Sequence, residues 1–331
     1  MNYIHYTVLL SLGLSLSQVS LAQTEVTQST VQTENNRWVD HRHSDVKEWL
    51  NDSSNKIDNW FGDIDPSRPA SANLRIIVDN QWNEYDDFHS HPRIRGKIKL
   101  PTLEKKLSIM IGDDSLDDVS DHKVTVDQHS TTQSKKVIDR TQTRKENTSL
   151  ALRFSKWNDN LPFDADFDIG LRSHDNPFAR LKISKDWSFS PTTGLYTEQT
   201  YRYSRKNKNE IRSFWEIYYQ QNDNTRMMWQ SNFNYQEKSD DDLTWDSSLF
   251  RQHQFNQHQR LNYGLQATGY FNSDNAYVKE WDLNRWGAFV SWRQPLWREW
   301  FFVQADVNYM NDKRLNRDHY PSAGVRLEML F

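Results

Sequence analysis

The chain has 331 residues, 26% of them charged, and a formal net charge of −4. That balance offers no basic face to nucleic acid, and the absence of cysteine excludes a disulfide framework and any thiolate metal centre. Aromatic residues reach 13%, with 14 tryptophans; such polarity and aromatic content coexist when alternate residues face lipid and a wet interior.

Thr7 to Leu16 form a short apolar run broken by Ser and Gly, well under the ~20 apolar residues a membrane-spanning helix needs. Ser20-Leu21-Ala22 then places small residues where a signal peptidase reads them. Residues 1–22 are therefore expected to be a cleaved export signal, although His5 rather than Lys or Arg precedes the apolar run. No Cys follows, which argues against a lipid-anchored form. Residues 23–36 are rich in Gln, Thr, Ser, Glu and Asn and predict a flexible lead-in.

Residues 37–66 predict a short helical segment. Val46, Trp49, Leu50, Ile57, Trp60 and Phe61 recur at helical spacing, with Ser44 as the N-cap. Ser53-Ser54 predicts a break into two helices, and Gly62 and Pro66 end the segment. The face carrying Trp49, Trp60 and Phe61 needs cover, by docking on the mouth of the domain that follows, by entering and plugging its lumen, or by binding a partner. His41-Arg42-His43 has a metal-binding look, but no surrounding residues complete a ligand set. No phosphate-cradling glycine loop or dinucleotide fingerprint occurs. No cofactor or metal is expected.

From residue 73 the period changes from 3.6 to 2. Phe163, Ala165, Phe167, Ile169 and Leu171 alternate with Asp164, Asp166, Asp168 and Arg172. Leu261, Tyr263 and Leu265 alternate with Asn262 and Gln266; Phe301, Val303, Ala305 and Val307 alternate with Gln304 and Asp306. Charge stays on one parity, because a charge on the lipid face costs up to ~2–4 kcal/mol at mid-membrane. Fourteen strands are counted, starting near residues 73, 89, 104, 147, 163, 177, 192, 209, 225, 242, 259, 282, 298 and 319, with twelve as the alternative. The fold class is all-β: a transmembrane antiparallel barrel over residues 73–331 behind a short amphipathic helical segment.

The last strand sharpens this. Ala323, Val325, Leu327, Met329 and Phe331 alternate with Gly324, Arg326 and Glu328, and the sequence stops at Phe331. A terminal strand of this kind resembles the assembly signal of bacterial outer-membrane β-barrels. Asp58-Asn59-Trp60-Phe61-Gly62-Asp63 followed by a barrel also resembles, loosely, gammaproteobacterial envelope proteins; that likeness implies no activity. The resemblance implies a Gram-negative outer membrane, with lipid, lipopolysaccharide and the barrel-assembly machinery as partners. The N-terminal segment would be periplasmic and open to a further partner there. An even strand count puts both barrel ends in the periplasm and the long connection 113–146 outside. Trp157, Trp187, Trp292, Trp297 and Trp300 then mark the periplasmic interface; Trp82, Tyr85, Phe88, Trp281, Tyr309 and Tyr320 mark the outer one.

The inward parity carries the functional expectation. Besides Asp164, Asp166, Asp168, Arg172, Arg326 and Glu328, it gathers Arg93, Arg95, Lys97 and Lys99 on one strand, with Glu198, Arg202, Arg212 and Glu216 elsewhere. Like charges about 6.6–6.8 Å apart along a strand repel unless neighbours compensate them. One reading is a charge-lined channel for small polar or charged solutes. A second is a non-conducting barrel with a polar core and a structural or partner-binding role. A third is a rim hydrolase, because His89-Ser90-His91 beside Asp86 and Asp87, Ser173-His174-Asp175, and Asp318-His319 map to outer strand ends.

Overall fold

The computed structural model describes residues 29–60, 69–102, 107–112, 149–155, 161–172, 175–238, 243–272 and 280–331. The export signal, Phe61, the connection 113–146, Trp157 and His174 lie outside the described residues. Helix α1 runs Ser29–Asn59. Fourteen strands follow: β1 Ser71–Asn83, β2 Asp87–Lys99, β3 Leu107–Ile111, β4 Ser149–Ser155, β5 Asp164–Arg172, β6 Pro177–Ser190 and β7 Thr193–Ser204. The second half comprises β8 Lys208–Asn222, β9 Thr225–Gln236, β10 Leu243–Gln254, β11 Arg260–Asn272, β12 Glu280–Leu296, β13 Arg298–Asp312 and β14 Arg317–Leu330.

Each strand pairs antiparallel with its sequence neighbours, and β1 pairs with β14, so the sheet closes on itself. Closure leaves no edge whose backbone groups would face lipid unpaired. Phe331 completes the seam: its N–H donates to Leu74 O (2.8 Å) and its carbonyl accepts from Leu74 N–H (3.2 Å). In register, Ile77 faces Glu328, Asp79 faces Arg326 and Gln81 faces Gly324. The same parity carries on through β2, β4, β5 and β6, where Arg93, Arg95, Arg153, Asp168 and Arg180 share the inward face.

The outer wall is apolar. Leu150, Ile169, Leu171, Leu265, Val290 and Val307 are all exposed, Leu265 by 63%. In water such a surface would be untenable; around a barrel it is the lipid contact. Polarity, closure and strand number together define a transmembrane β-barrel of the outer-membrane kind. Trp82, Phe88 and Tyr309 are exposed at one end of the strands, and Trp187 and Trp297 at the other. Lys185 places its ammonium 3.8 Å from the Trp187 ring centre. Tyr320 departs from the expected belt: it is buried and packs edge-on against Tyr85, at 5.3 Å between ring centres.

The interior also holds apolar side chains. Met110, Ala151 and Phe178 form one cluster; Met228, Phe250 and Phe289 form another, with Tyr218 against it. Gly264 makes the second possible. A Cβ there would meet Leu249 O at 2.2 Å and Phe250 Cβ at 2.6 Å, so only glycine lets β11 pass beneath the Phe250 ring.

Two compact units divide within α1, one ending at Val46 and the other running from Lys47 to Phe331. In the first, the Arg42 guanidinium lies 5.7 Å from the Trp38 ring and 3.6 Å from Asp45. The helix differs from expectation in two respects. It begins at Ser29, within the supposed lead-in, and runs unbroken through Ser53-Ser54. No Gly or Pro occurs between Ser29 and Asn59 to stop it, and Ser54 satisfies its hydroxyl by donating to Asn51 O at 2.8 Å. In the second unit, polar residues rather than the apolar stripe make the contact. Asp58 and Ser54 are fully buried, while Trp49 and Trp60 remain 65% and 79% exposed. Asp58 accepts from Thr102 N–H (3.1 Å) and from Thr102 Oγ1–H (2.8 Å), at the β2–β3 turn.

Leu265→Arg puts a charge on the lipid face and is expected to lower unfolding stability in vesicles by ~2–4 kcal/mol. Gly264→Val overpacks the Phe250 cluster and should cost ~1–3 kcal/mol or more. Urea titration with heat-modifiable gel mobility as the readout of folded barrel checks both; unchanged midpoints would contradict the assigned faces.

Candidate functional site: the charged interior

Register builds the inner wall. The inward face of β2 carries Asp87, His89, His91, Arg93, Arg95, Lys97 and Lys99, each opposite an inward residue of β1. The inward face of β5 carries Asp164, Asp166, Asp168 and Arg172. Each ladder concentrates one sign of charge, so its stability depends on the strands beside it.

For β5, those strands supply the opposite sign. Asp168 faces Arg153 of β4 and Arg180 of β6 in register. Arg153 Nε donates to Asp168 Oδ1 (2.8 Å) and its Nη2 to Oδ2 (3.2 Å); Arg180 Nε donates to Oδ2 (2.7 Å). All three side chains are almost fully buried. Asp166 lies 3.3 Å from Lys182 and 3.8 Å from Arg153. A carboxylate held by two cations has its lone pairs satisfied, which is what makes a buried charge tolerable.

The same device closes the seam. Asp79 of β1 accepts from Arg326 Nε of β14 (2.6 Å) and from Arg93 of β2. Glu328 pairs with Arg75 and with Arg293 Nη2 (2.6 Å), and the Arg293 guanidinium lies 4.6 Å from the Phe302 ring centre. Arg202 pairs with Glu210 across β7 and β8. A cavity of about 20 Å³ between Asp79, Gln81, Asp306, Asn308 and Arg326 has room for roughly one water molecule.

The remaining ladder members sit as follows. Glu198 is buried and accepts from Tyr196 Oη at 3.1 Å. Glu216 accepts from Gln230 Nε2 at 2.7 Å. Arg212 faces Thr200 and Asn234, Arg172 faces Ser149, and Asp164 faces Ser184. Uncharged amides dominate the far wall: Asn232 donates to Asp246 (3.0 Å), Gln266 to Asn308 (3.2 Å) and Gln304 to Asp306 (3.0 Å). On β2, Arg95 is buried and donates Nη1–H to Ile94 O at 3.0 Å. Lys97 and Lys99, opposite Asn73 and Ser71, form no ion pair among the described residues.

The described rim histidines, His89, His91 and His319, do not form one site. His89 and His91 face inward opposite Gln81 and Asp79. His319 pairs with Asp318 and lies 6.0 Å from the outward Tyr309 ring, on the other face of the wall. Asp86, near His89 in sequence, accepts instead from Arg317 Nη2 (2.7 Å) and Asn83 Nδ2 (3.1 Å). Among the described residues no three His, Cys, Asp or Glu side chains are grouped to hold a metal. Beyond the strands, a hydrogen bond from the Lys206 ammonium to Asp175 (2.5 Å) holds that exposed carboxyl below the usual carboxylate range.

Sequence reading missed Arg293 and Glu210 as charge partners. Both lie on the inward parity, and their partners emerge only when strand register is known.

No protein-family model matches the sequence, and no curated protein matches it. Solved structures with a similar course include OmpTdeltaL8, an outer membrane protein of Vibrio cholerae, at 9% identity over 79% of this chain and 99% of that one, TM-score 0.44. The KdgM porin in complex with disordered oligogalacturonate matches at 8% identity over 77% and 98%, TM-score 0.35. A mutant Rh. blastica porin matches at 12% identity over 79% and 100%, TM-score 0.43.

Asp168→Asn leaves Arg153 and Arg180 buried against a neutral amide and is expected to cost ~3–5 kcal/mol. Lys99→Ala, which breaks no pair, should stay within ~0.5 kcal/mol. Urea unfolding of vesicle-inserted protein compares them; equal effects would show that the buried triad does not carry the stability assigned to it.

Proposed function

We propose that the chain is an outer-membrane pore passing small solutes, with a preference for anions. The observation that carries this is an asymmetry in how the inward charges are used. Asp79, Asp166, Asp168, Glu210 and Glu328 are each engaged by guanidinium or ammonium groups. Lys97 and Lys99 are not engaged in any such pair among the described residues. A neutralised carboxylate adds little to the field along a pore, whereas an unneutralised ammonium attracts anions and repels cations. The acidic ladder of β5, conspicuous in sequence, is on this reading structural, and the basic ladder of β2 is functional.

Lys97 and Lys99 lie toward the barrel end that also bears Ser71 and Phe331. On the outer-membrane reading, with an even number of strands, that end would be the periplasmic one. The β2–β3 turn beside Lys99 is also where Asp58 of α1 docks. An anion leaving the pore would therefore pass between the two lysines and the foot of the helix, where removal of Asp58 should widen access. During biogenesis, the terminal strand ending in Phe331 would be the segment read by the assembly machinery.

Planar-bilayer recording of the refolded protein tests the reading. In a salt gradient the reversal potential should show chloride preferred over potassium, with the preference fading at 1 M salt, where the Debye length is ~3 Å. Lys97→Glu/Lys99→Glu should reverse the preference, and Asp58→Ala should raise the open fraction. Silence from folded protein would leave the ion-paired interior as a closed core. Cation preference in the unaltered protein would refute the assignment of the lysines.

A further inference from the structure

The lipid-facing wall is not uniformly convex. Between β9 and β14 it contains a groove of about 600 Å³, lined by Trp229, Leu249, Leu265, Leu283, Trp286 and Tyr309, a volume in the range of ligand sites. The floor is low because small residues come together there. Ser247 faces Ala267 across β10–β11, and Leu265 faces Ala288 across β11–β12. Bulky Trp229 and Trp286 stand beside them. Trp229 Nε1 is satisfied by Ser247 Oγ at 2.9 Å, so its polar atom is turned into the wall and its ring is left to the groove.

One end of the groove carries charge. The Lys313 ammonium lies 5.4 Å from the ring centre of Trp286, a lining residue. Lys313 is exposed and forms no ion pair among the described residues. Asp318 is at the same end, but it is occupied: it accepts from Asn311 Nδ2 at 2.7 Å and pairs with His319. Apolar length ending at a cation matches one chemistry, an acyl chain joined to a phosphate. Lys313 lies between β13 and β14, at the end of the barrel away from Phe331, which on the outer-membrane reading is the outer leaflet.

We infer that this groove is a specific binding site for a phosphate-bearing membrane lipid, with one acyl chain along Trp229, Leu265 and Trp286 and the headgroup phosphate on Lys313. The inference rests on the outer-membrane placement proposed above, but not on conduction. A lipid held there would fill a concavity that bulk chains cover poorly, and would tie β12 to the β13–β14 hairpin.

The test uses the full mature chain refolded into vesicles of equal parts phosphatidylglycerol and phosphatidylcholine, transferred to detergent and read by native mass spectrometry. Heat-modifiable mobility before extraction reports insertion. The unaltered protein should retain phosphatidylglycerol over phosphatidylcholine. Lys313→Glu should cut that preference by about fivefold, the effect of one cation at an anionic lipid surface. Ala288→Trp, which fills the groove from the lipid side, should remove the retained lipid while insertion stays normal. Inserted protein that retains both lipids equally and is indifferent to both substitutions overturns the site and leaves the membrane reading standing. A dimer lost in Ala288→Trp would put a second copy in the groove instead, also overturning it. Failure to insert at all removes both readings.

Discussion

Backbone pairing across the β1–β14 seam is the constraint on which the rest depends. A sheet in lipid cannot leave a free edge, so β14 must meet β1, and the register in which it does so fixes every side chain opposite every other. Leu74 and Phe331 exchange both hydrogen bonds at one end of that seam, and Asp79 and Arg326 meet in its middle. A slip of β14 by one residue against β1 would turn Arg326 and Glu328 toward lipid and Leu327 toward the interior. The polar parity and the closed sheet therefore enforce one another.

Ion pairing follows from that register. Arg153, Asp168 and Arg180 occupy three consecutive strands at one level, and Arg93, Asp79 and Arg326 are joined across β2, β1 and β14. Each carboxylate is a bracket between two neighbours, so these clusters are part of the wall as much as of the lumen. Lys97 and Lys99 of β2 stand outside these clusters. On the lipid side, the described outer surface sets exposed apolar side chains such as Leu171, Leu265 and Val307 beside a small-residue groove near Lys313.

Much of the barrel was legible in the sequence because lipid enforces a two-residue period. All fourteen strands start within about three residues of where alternation places them, and Asp164, Asp166 and Asp168 point inward as their parity requires. Pairing was less legible. Asp168 is fifteen residues from Arg153 and twelve from Arg180, separations that become contacts only when hairpin registers are fixed. Arg293 and Glu328, at opposite ends of two hairpins, were harder still. Alternation also hides inward apolar residues such as Met228 and Phe250, whose interior role depends on Gly264 and a close backbone approach. For α1, the apolar stripe drew attention to Trp49 and Trp60, whereas docking is achieved by Asp58, because the Thr102 N–H offers a carboxylate a donor.

Register at the seam can be measured directly, since the chain has no cysteine of its own. Val78 and Leu327 are paired on the lipid face, where opposite Cα atoms lie about 4.5–5.5 Å apart and fall within disulfide reach. Val78→Cys/Leu327→Cys in vesicles should form an intramolecular disulfide on mild oxidation. Val78→Cys/Val325→Cys, offset by two residues and ~7–8 Å apart across the strands, should not. Efficient cross-linking of the offset pair, or of neither, would contradict the closure from which the interior charge pairs follow.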